Sequence, residues 1–352
     1  MTGTDGDQIA PETSDRLVMA VDGNSLVHRS FHAQAGTGSR TADGRPIWAV
    51  RGLLGQLVTA VDRLDPDVVV VGFDDPERSW RREEWPGYKG TRADKLETLV
   101  EQLATAVDVL RALGVCVVVP PGLEADDVLA STAATARAAG HRTVVVSSDR
   151  DAFALIDDHT SVLRIINGGV EASPLLTPAR LPTLLGIRAG QYGDFAALRG
   201  DSSDNLPGVS GIGPKTAAKL LAALGSARAA FDDLEAGGTR VTEAVGRGAA
   251  ARLAAPGARE AWKRNRAVMQ MRTDVVVDLG GALPLAEDTV REVYTAHQLT
   301  YTLPSALRCL ARVDVPGPAP TRAYVDRGWS WGTPPRHKPL PRRRDEDQLT
   351  LF

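Results

Sequence analysis

Three short apolar runs end in an aspartate: LVMAV (17–21) before Asp22, DVVVVGF (67–73) before Asp74 and RTVVVSS (142–148) before Asp149. If these runs are neighbouring parallel strands, their carboxyl ends share one edge, where ligands of such sheets collect. Asp151 follows directly, and GLEADDVLA (122–130) adds Glu124, Asp126 and Asp127 from a loop and helix start. Two more acids, Asp201 and Asp204, stand in GDSSDN ahead of a glycine-rich turn. A single aspartate after a strand is commonly a turn former or helix cap. Six or more at one edge would repel one another and raise their own pKa values unless divalent metal neutralised them. An all-oxygen set without paired histidines or cysteines favours magnesium or manganese over zinc. The chemistry expected is two-metal phosphodiester hydrolysis, with one ion activating water and a second, about 4 Å away, stabilising the leaving oxygen. Within GLEADDVLA, Glu124 and Asp127 are three apart and share a helical face, and Asp126 points elsewhere if the helix is already regular. Acids at a helix start also complement its dipole, which is the alternative for one of the three.

The elements that must position these acids alternate. Strands are expected at 17–21, 67–73, 115–119 and 142–148, and helices at 49–64, 96–113 and 126–139. The pattern predicts an α/β fold with a parallel central sheet covered by helices on both faces. Residues 36–46 read as a loop. Further on, GDSSDNLPGVSGIGPKTAAKLL (200–221) reads as helix, glycine turn, helix. Leu206-Pro207 stops a helix arriving from the acidic side, Gly208, Gly211 and Gly213 permit a tight turn, and Pro214 takes a first helical position. Backbone N–H groups at such a helix start hold a phosphate without reading a base, and Lys215 and Lys219 would lie beside it on one face. A plain connector is the alternative. Residues 225–260 show only alanine-rich helices and glycine breaks.

The segment 78–95 (RSWRREEWPGYKGTRADK) interleaves Arg78, Arg81, Arg82, Lys89, Arg92 and Lys95 with Trp80, Trp85 and Tyr88. Cations between aromatics suit a nucleic-acid backbone and a stacked base. Glu83, Glu84 and Asp94 in the same stretch leave a solvated loop as the alternative, which the adjacent acids make less attractive.

Composition sets outer bounds. With 352 residues the chain can hold one large domain or two modest ones, and a net charge of −3 means that nucleic-acid binding must rest on local patches. Two cysteines, Cys116 and Cys309, imply neither a disulfide framework nor a cysteine zinc site, which suits a reducing cytosol. The acidic start MTGTDGDQIAPETSD lacks the character of a signal peptide, and no apolar run reaches membrane-spanning length. A soluble, cytoplasmic, nucleoid-associated monomer is expected, without membrane contact. His28 reads as a local hydrogen-bonding residue.

The blocks DGNSLVHRSFHA (22–33), GFDDPERSWRREEWPGYKGTR (72–92), GLEADDVLA (122–130), SSDRDAFALI (147–156) and 200–221 resemble, in order, the signature blocks of the bacterial 5′–3′ exonuclease and flap endonuclease family, which includes the N-terminal nuclease domain of DNA polymerase I. The resemblance covers roughly residues 16 to 280. It implies a PIN-like nuclease core, a helical arch and a helix-hairpin-helix region of the helix-three-turn-helix type. It also implies two Mg2+ ions, for which Mn2+ substitutes, and K+ at the backbone carbonyls of 209–212. By resemblance the metal carboxylates are Asp22, Asp74, Glu124, Asp126, Asp127, Asp149, Asp151, Asp201 and Asp204. Lys89 and Arg92 match the basic pair that contacts the scissile phosphate, and Tyr88 the residue on which the terminal base stacks. Gly208, Gly211, Gly213, Lys215, Lys219, Arg81 and Arg82 are the expected DNA contacts. The implied activity is structure-selective 5′–3′ exonuclease and 5′-flap endonuclease cleavage of DNA and of RNA–DNA primer junctions in replication and repair.

The expected organisation is a disordered leader (1–15), a nuclease core (16–190), a helical DNA-binding region (191–310) and a disordered tail (311–352). No polymerase sequence follows, so a stand-alone nuclease is expected. The tail is rich in proline and carries Arg336, Lys338, Arg342, Arg343 and Arg344, which either attract DNA or keep a linker solvated. Gln348, Leu349, Leu351 and Phe352 resemble the QLxLF peptide by which bacterial replication proteins bind the sliding clamp. Two readings from other classes are a catalytically silent DNA-junction binder tethered to the clamp and a PIN-type single-strand ribonuclease.

Overall fold

The computed structural model describes residues 15–92 and 94–316. The clamp-like peptide, the arginine-rich tail and all of the leader but Asp15 lie outside the described residues. The apolar runs at 17–21, 67–73 and 142–148 form strands buried on both faces, as a parallel sheet requires, and the run at 115–119 forms a half-buried strand at the sheet edge. β1 (Leu17–Asp22), β2 (Val68–Gly72), β3 (Cys116–Val118), β4 (Arg142–Ser147) and β5 (Thr160–Arg164) are parallel, and β6 (Leu175–Leu176) runs antiparallel at one edge. Their order is β3-β2-β1-β4-β5-β6. The register sets Val21 opposite both Val71 and Val146, and Asp22 opposite Gly72, so the acids after β1, β2 and β4 emerge side by side.

Side chains alternate across the sheet. Met19, Val21, Val69, Val71, Val144 and Val146 face a core shared with α1 (Gly23–Gln34), α2 (Trp48–Leu64) and α4 (Glu97–Ala112); α3 (Trp80–Glu84) is a short turn between β2 and α4. Val18, Val68 and Val70 pack with Val128 of α5 (Ala125–Ala138) on the other face. Ala20 and Val145, also on that face, belong to a second large core that continues through the helices Tyr192–Arg199, Pro214–Leu224, Ala227–Glu235 and Ala258–Val268.

The span 191–310 is not one packing unit. The helices Glu287–Ala296 and Leu303–Leu310 return to the α/β layer, where Val290, Tyr294, Leu307 and Leu310 join the core of α2 and α4. The acidic stretch also differs from the expected helix, turn, helix: a two-stranded ladder, β7 (Gly200–Asp201) with β8 (Leu206–Pro207), separates the helix Tyr192–Arg199 from the glycine turn. A Cβ on Gly208 would stand 2.2 Å from the Arg199 carbonyl oxygen, so glycine there answers to backbone contact.

Because the Leu303–Leu310 helix plugs the first core, Leu307→Ala should cost about 2–5 kcal/mol in urea unfolding. Leu184→Ala, at a side chain 51% exposed, should change stability by about 0.5 kcal/mol or less.

Candidate metal centre and nucleic-acid interface

The acids at the sheet edge are held by short local bonds. Asp22 caps α1: its Oδ1 accepts from Ser25 N at 2.9 Å, and its Oδ2 accepts from Ser147 Oγ at 2.7 Å. Asn24 clamps Asp74, donating from Nδ2 to Oδ2 at 2.8 Å and accepting from the Asp74 backbone N at 3.0 Å. Ala125 N donates to Asp74 Oδ1 at 2.9 Å, so the start of α5 is fastened to the end of β2. Asp149 N is held by Ser147 Oγ at 3.0 Å, and Asp149 Oδ1 in turn accepts from Asp151 N at 3.0 Å. Asp201 Oδ1 accepts from Ser203 N at 2.8 Å. The sequence marks Asn24 and Ser147 only by their adjacency to strand ends that carry acids.

Burial and repulsion from neighbouring acids raise three acids here, Asp22, Asp151 and Asp126. Asp22 is pushed up to about 7 by burial, with the charges of Asp74 and Asp149 adding to it against the Ser25 and Ser147 hydrogen bonds. Asp151 rises to about 8 through burial and the charges of Asp149, Asp201 and Asp204. Asp126 lies well above the usual carboxylate range for the same reasons, with Asp149 and Asp22 as its repelling neighbours. Among the described residues, no three acids, histidines or cysteines close on one point as a finished metal cage. The donor set is nevertheless all oxygen, and at Asp22, Asp126 and Asp151 burial and neighbouring acids outweigh the protein cations within reach, such as Arg81 beside Asp126 and Arg199 beside Asp151. Asp22, Asp74, Asp126, Asp149, Asp151 and Asp201 therefore fit hard divalent ions.

Glu124 and Asp127 are placed otherwise. They form a reciprocal capping box at the start of α5. Asp127 is fully buried and its oxygens are taken: Arg81 donates Nη1 and Nη2 to it, both at 2.8 Å, and Glu124 N and Arg272 N donate at 3.0 and 2.9 Å. It is a structural acid, which corrects its place among the metal ligands. Arg81 is likewise not on a DNA-contacting surface. Only 3% exposed, it also donates from Nε to Val268 O at 3.0 Å and from Nη1 to Glu124 at 3.1 Å. Tyr88 does not offer a face to a base: it is 5% exposed, packs with Leu206 and Val268, and donates its hydroxyl to Glu124 Oε2 at 3.0 Å. These three differ from expectation because the short segment around α3 folds inward to cover the α5 start. Arg82 stays exposed and lines the cleft.

Lys89 and Arg92 face the acids. Lys89 Nζ lies 3.1 Å from Glu124 Oε1, and Arg92 pairs with Asp204 and donates to Ser203 O at 3.2 Å. Burial works to raise Glu124, but Lys89 and Arg81 outweigh it and hold the carboxyl below its ordinary value. Asp204 remains raised by burial in spite of Lys89 and Arg92. Lys89 adopts a left-handed φ of 54°, and its N–H donates to Asp204 O at 2.9 Å. Between the walls lies a cleft of about 730 Å³, lined by Asp22, Asp74, Asp126, Asp149, Lys89 and Arg92 among others. His28 also lines it; burial and then the charges of Lys95, His32 and Arg92 lower its pKa to about 4, so it is neutral near pH 7.

At the glycine turn, Gly211 has φ 71°, while Gly213 caps the helix Pro214–Leu224 with extended backbone. Lys215 and Lys219 are exposed on that helix. Of the carbonyls in 209–212, Val209 O accepts from Ile212 N at 3.0 Å and Gly211 O from Arg252 Nη1 at 3.2 Å, so a protein cation is already bonded to the Gly211 carbonyl.

A parallel sheet whose carboxyl edge gathers acids opposite a basic pair, beside helices that present a glycine turn, defines an α/β protein with an acidic cleft. The chain belongs to the 5′-3′ exonuclease family: the N-terminal resolvase-like domain matches residues 17–181 and the C-terminal SAM fold residues 187–285. It is 38% identical over 228 residues to DNA polymerase I of Mycobacterium bovis, covering 65% of this chain and 25% of that protein. It is 41% identical over 218 residues to the thermostable DNA polymerase I of Thermus aquaticus, covering 62% of this chain and 25% of that one. The chain thus matches about a quarter of the length of these curated relatives. The bacteriophage T5 flap endonuclease, solved with DNA and metal ions, shares the fold with a TM-score of 0.59 at 19% identity, over 85% of this chain and 100% of that one. Among the described residues no helix is long and apolar enough to cross a membrane.

Two outcomes follow from the geometry. Arg81→Met should destabilise by about 3–5 kcal/mol by leaving Asp127 buried and unpaired, and the pair Arg81→Met/Asp127→Leu should recover part of that loss in urea unfolding. Asp22 and Asp151 have folded pKa values above their unfolded ones, so the folded metal-free protein binds more protons and gains stability as pH falls through about 8 and 7. Calorimetry in chelator should show Tm rising from pH 9 to pH 6, and Mg2+ should raise Tm at pH 8 and flatten that slope.

Proposed function

We propose that this chain is a structure-selective 5′–3′ exonuclease and 5′-flap endonuclease acting on DNA and RNA–DNA primer junctions. The observation that carries the reading is the basic pair Lys89 and Arg92 standing across one cleft from the acids at the sheet edge. Two Mg2+ ions, replaceable by Mn2+, would be held by Asp22, Asp74, Asp126, Asp149, Asp151 and Asp201. When bound they supply charge neutralisation and an activated water for phosphodiester hydrolysis. Glu124 and Asp204 become available to the same site when Lys89 and Arg92 turn from them to a phosphate. The released cations then orient the scissile phosphate and stabilise the charge that grows on its oxygens. The Pro214–Leu224 helix start, with Lys215 and Lys219, holds duplex phosphates without reading sequence. Potassium at the turn would require Arg252 to leave Gly211 O.

Primer removal and flap processing in the cytoplasm, by a monomer, are the roles proposed. Gln348, Leu349, Leu351 and Phe352 are proposed to tether the chain to a sliding clamp; deleting 348–352 should abolish clamp binding and leave flap cleavage unchanged.

The deciding test is cleavage of a labelled 5′-flap duplex against the same strand unpaired, with Mg2+ and with chelator. Mg2+-dependent cutting near the junction, reduced at least 100-fold by Asp149→Ala, is expected. Tight binding without cutting would instead mark a silent junction binder, and preferential cutting of the free strand a single-strand nuclease.

A further inference from the structure

The described residues expose five large apolar side chains, and two of them, Leu96 at 61% and Val100 at 47%, stand one helical turn apart. Leu96 is the N-cap of α4 and Val100 lies in its first turn. The helix buries Leu99, Ala106, Val109 and Leu110 in the core, so the outward pair is not recruited by packing. Val100 lines the acid cleft together with Arg92, Lys95 and Arg82. Val100 thus sets an apolar step among cations in the cleft lining, with Leu96 exposed one turn before it.

That pairing of surfaces matches an unpaired nucleic-acid strand, whose phosphates seek the cations and whose exposed base faces seek apolar contact. Duplex keeps its base faces stacked inside and would leave the step wet. The aromatic residues of the neighbouring basic segment do not serve instead: Tyr88 is buried, and the guanidinium groups of Arg81 and Arg264 lie 5.0 and 4.7 Å over the Trp80 and Trp85 rings. We propose that Leu96 and Val100 form a ledge that receives bases of the unpaired 5′ strand of a flap and so sets this chain's preference for flaps over ends without one. The proposal rests on the nuclease reading above and adds the surface that selects the substrate.

The test is fluorescence anisotropy with three duplexes: a base-bearing 5′ flap, a flap of the same length made of abasic units, and a nick without a flap. Binding is measured in Ca2+, and cleavage in Mg2+ is read separately. For Leu96→Ser/Val100→Ser the Kd for the base-bearing flap should rise about 10-fold, with the nicked duplex unchanged. The abasic flap should bind wild type about as weakly as the base-bearing flap binds the double variant, which should lose nothing further on abasic DNA. Leu184→Ser, at an exposed apolar side chain outside the cleft lining, controls for surface polarity, and thermal melts control for folding. Equal weakening on flap and nick, or an abasic flap bound as tightly as a base-bearing one by wild type, overturns the ledge. Selective weakening on the base-bearing flap without any cleavage by wild type would retain the ledge and overturn the nuclease reading.

Discussion

Repulsion between carboxylates at one sheet edge is the constraint to which the site answers. Parallel pairing of β1 with β2 and β4 puts Asp22 beside Gly72 and next to the end of β4, and α5 brings three more acids to the same place. The protein meets this charge in two ways. Glu124, Asp127 and Asp204 are compensated internally by Arg81, Lys89 and Arg92. At Asp22, Asp126 and Asp151 burial and neighbouring acids, Asp149 among them in each case, outweigh the cations within reach, which is why their pKa values rise. A site that holds this much unfavourable charge without cations is poised to gain stability on taking them up.

The internal compensation also joins the two halves of the molecule. Arg81 bonds at once to the α5 start and to Val268 O at the end of the Ala258–Val268 helix. Tyr88 packs between Leu206 and Val268 while bonding to Glu124. Lys89 N–H reaches Asp204 O, and Asn205 Nδ2 donates to Gly87 O at 2.8 Å. The segment that carries the basic pair is therefore seated on the acidic hairpin preceding the glycine turn. The glycine turn and the Lys89 and Arg92 pair share one support. Buried ion pairs of this kind are weak contributors to net stability, and their benefit here is fixed geometry.

Much of this was legible in the sequence because it depends on local pattern. Four apolar runs form the four expected strands, since short valine-rich segments bounded by turns have few other solutions. Asp22, Asp74 and Asp149 arrived at one edge because strand ends align once the strands are parallel. The sequence was weaker where short, polar or weakly periodic pieces decide. The sequence pattern does not mark β5 and β6, and it groups the helices Glu287–Ala296 and Leu303–Leu310 with the helical region although they complete the core of α2.

The sequence by itself thus determined which residue types meet, because strand period, capping preference and glycine placement act over a few residues. Only the tertiary structure decided which of them remain free. Arg81, Tyr88 and Asp127 carry the same side chains as any exposed arginine, tyrosine and aspartate. Their burial in one network depends on Val268, Gln270 and Arg272 folding back from more than 140 residues away. No local pattern encodes that contact, since its driving force is the satisfaction of buried polar groups by partners distant in the chain.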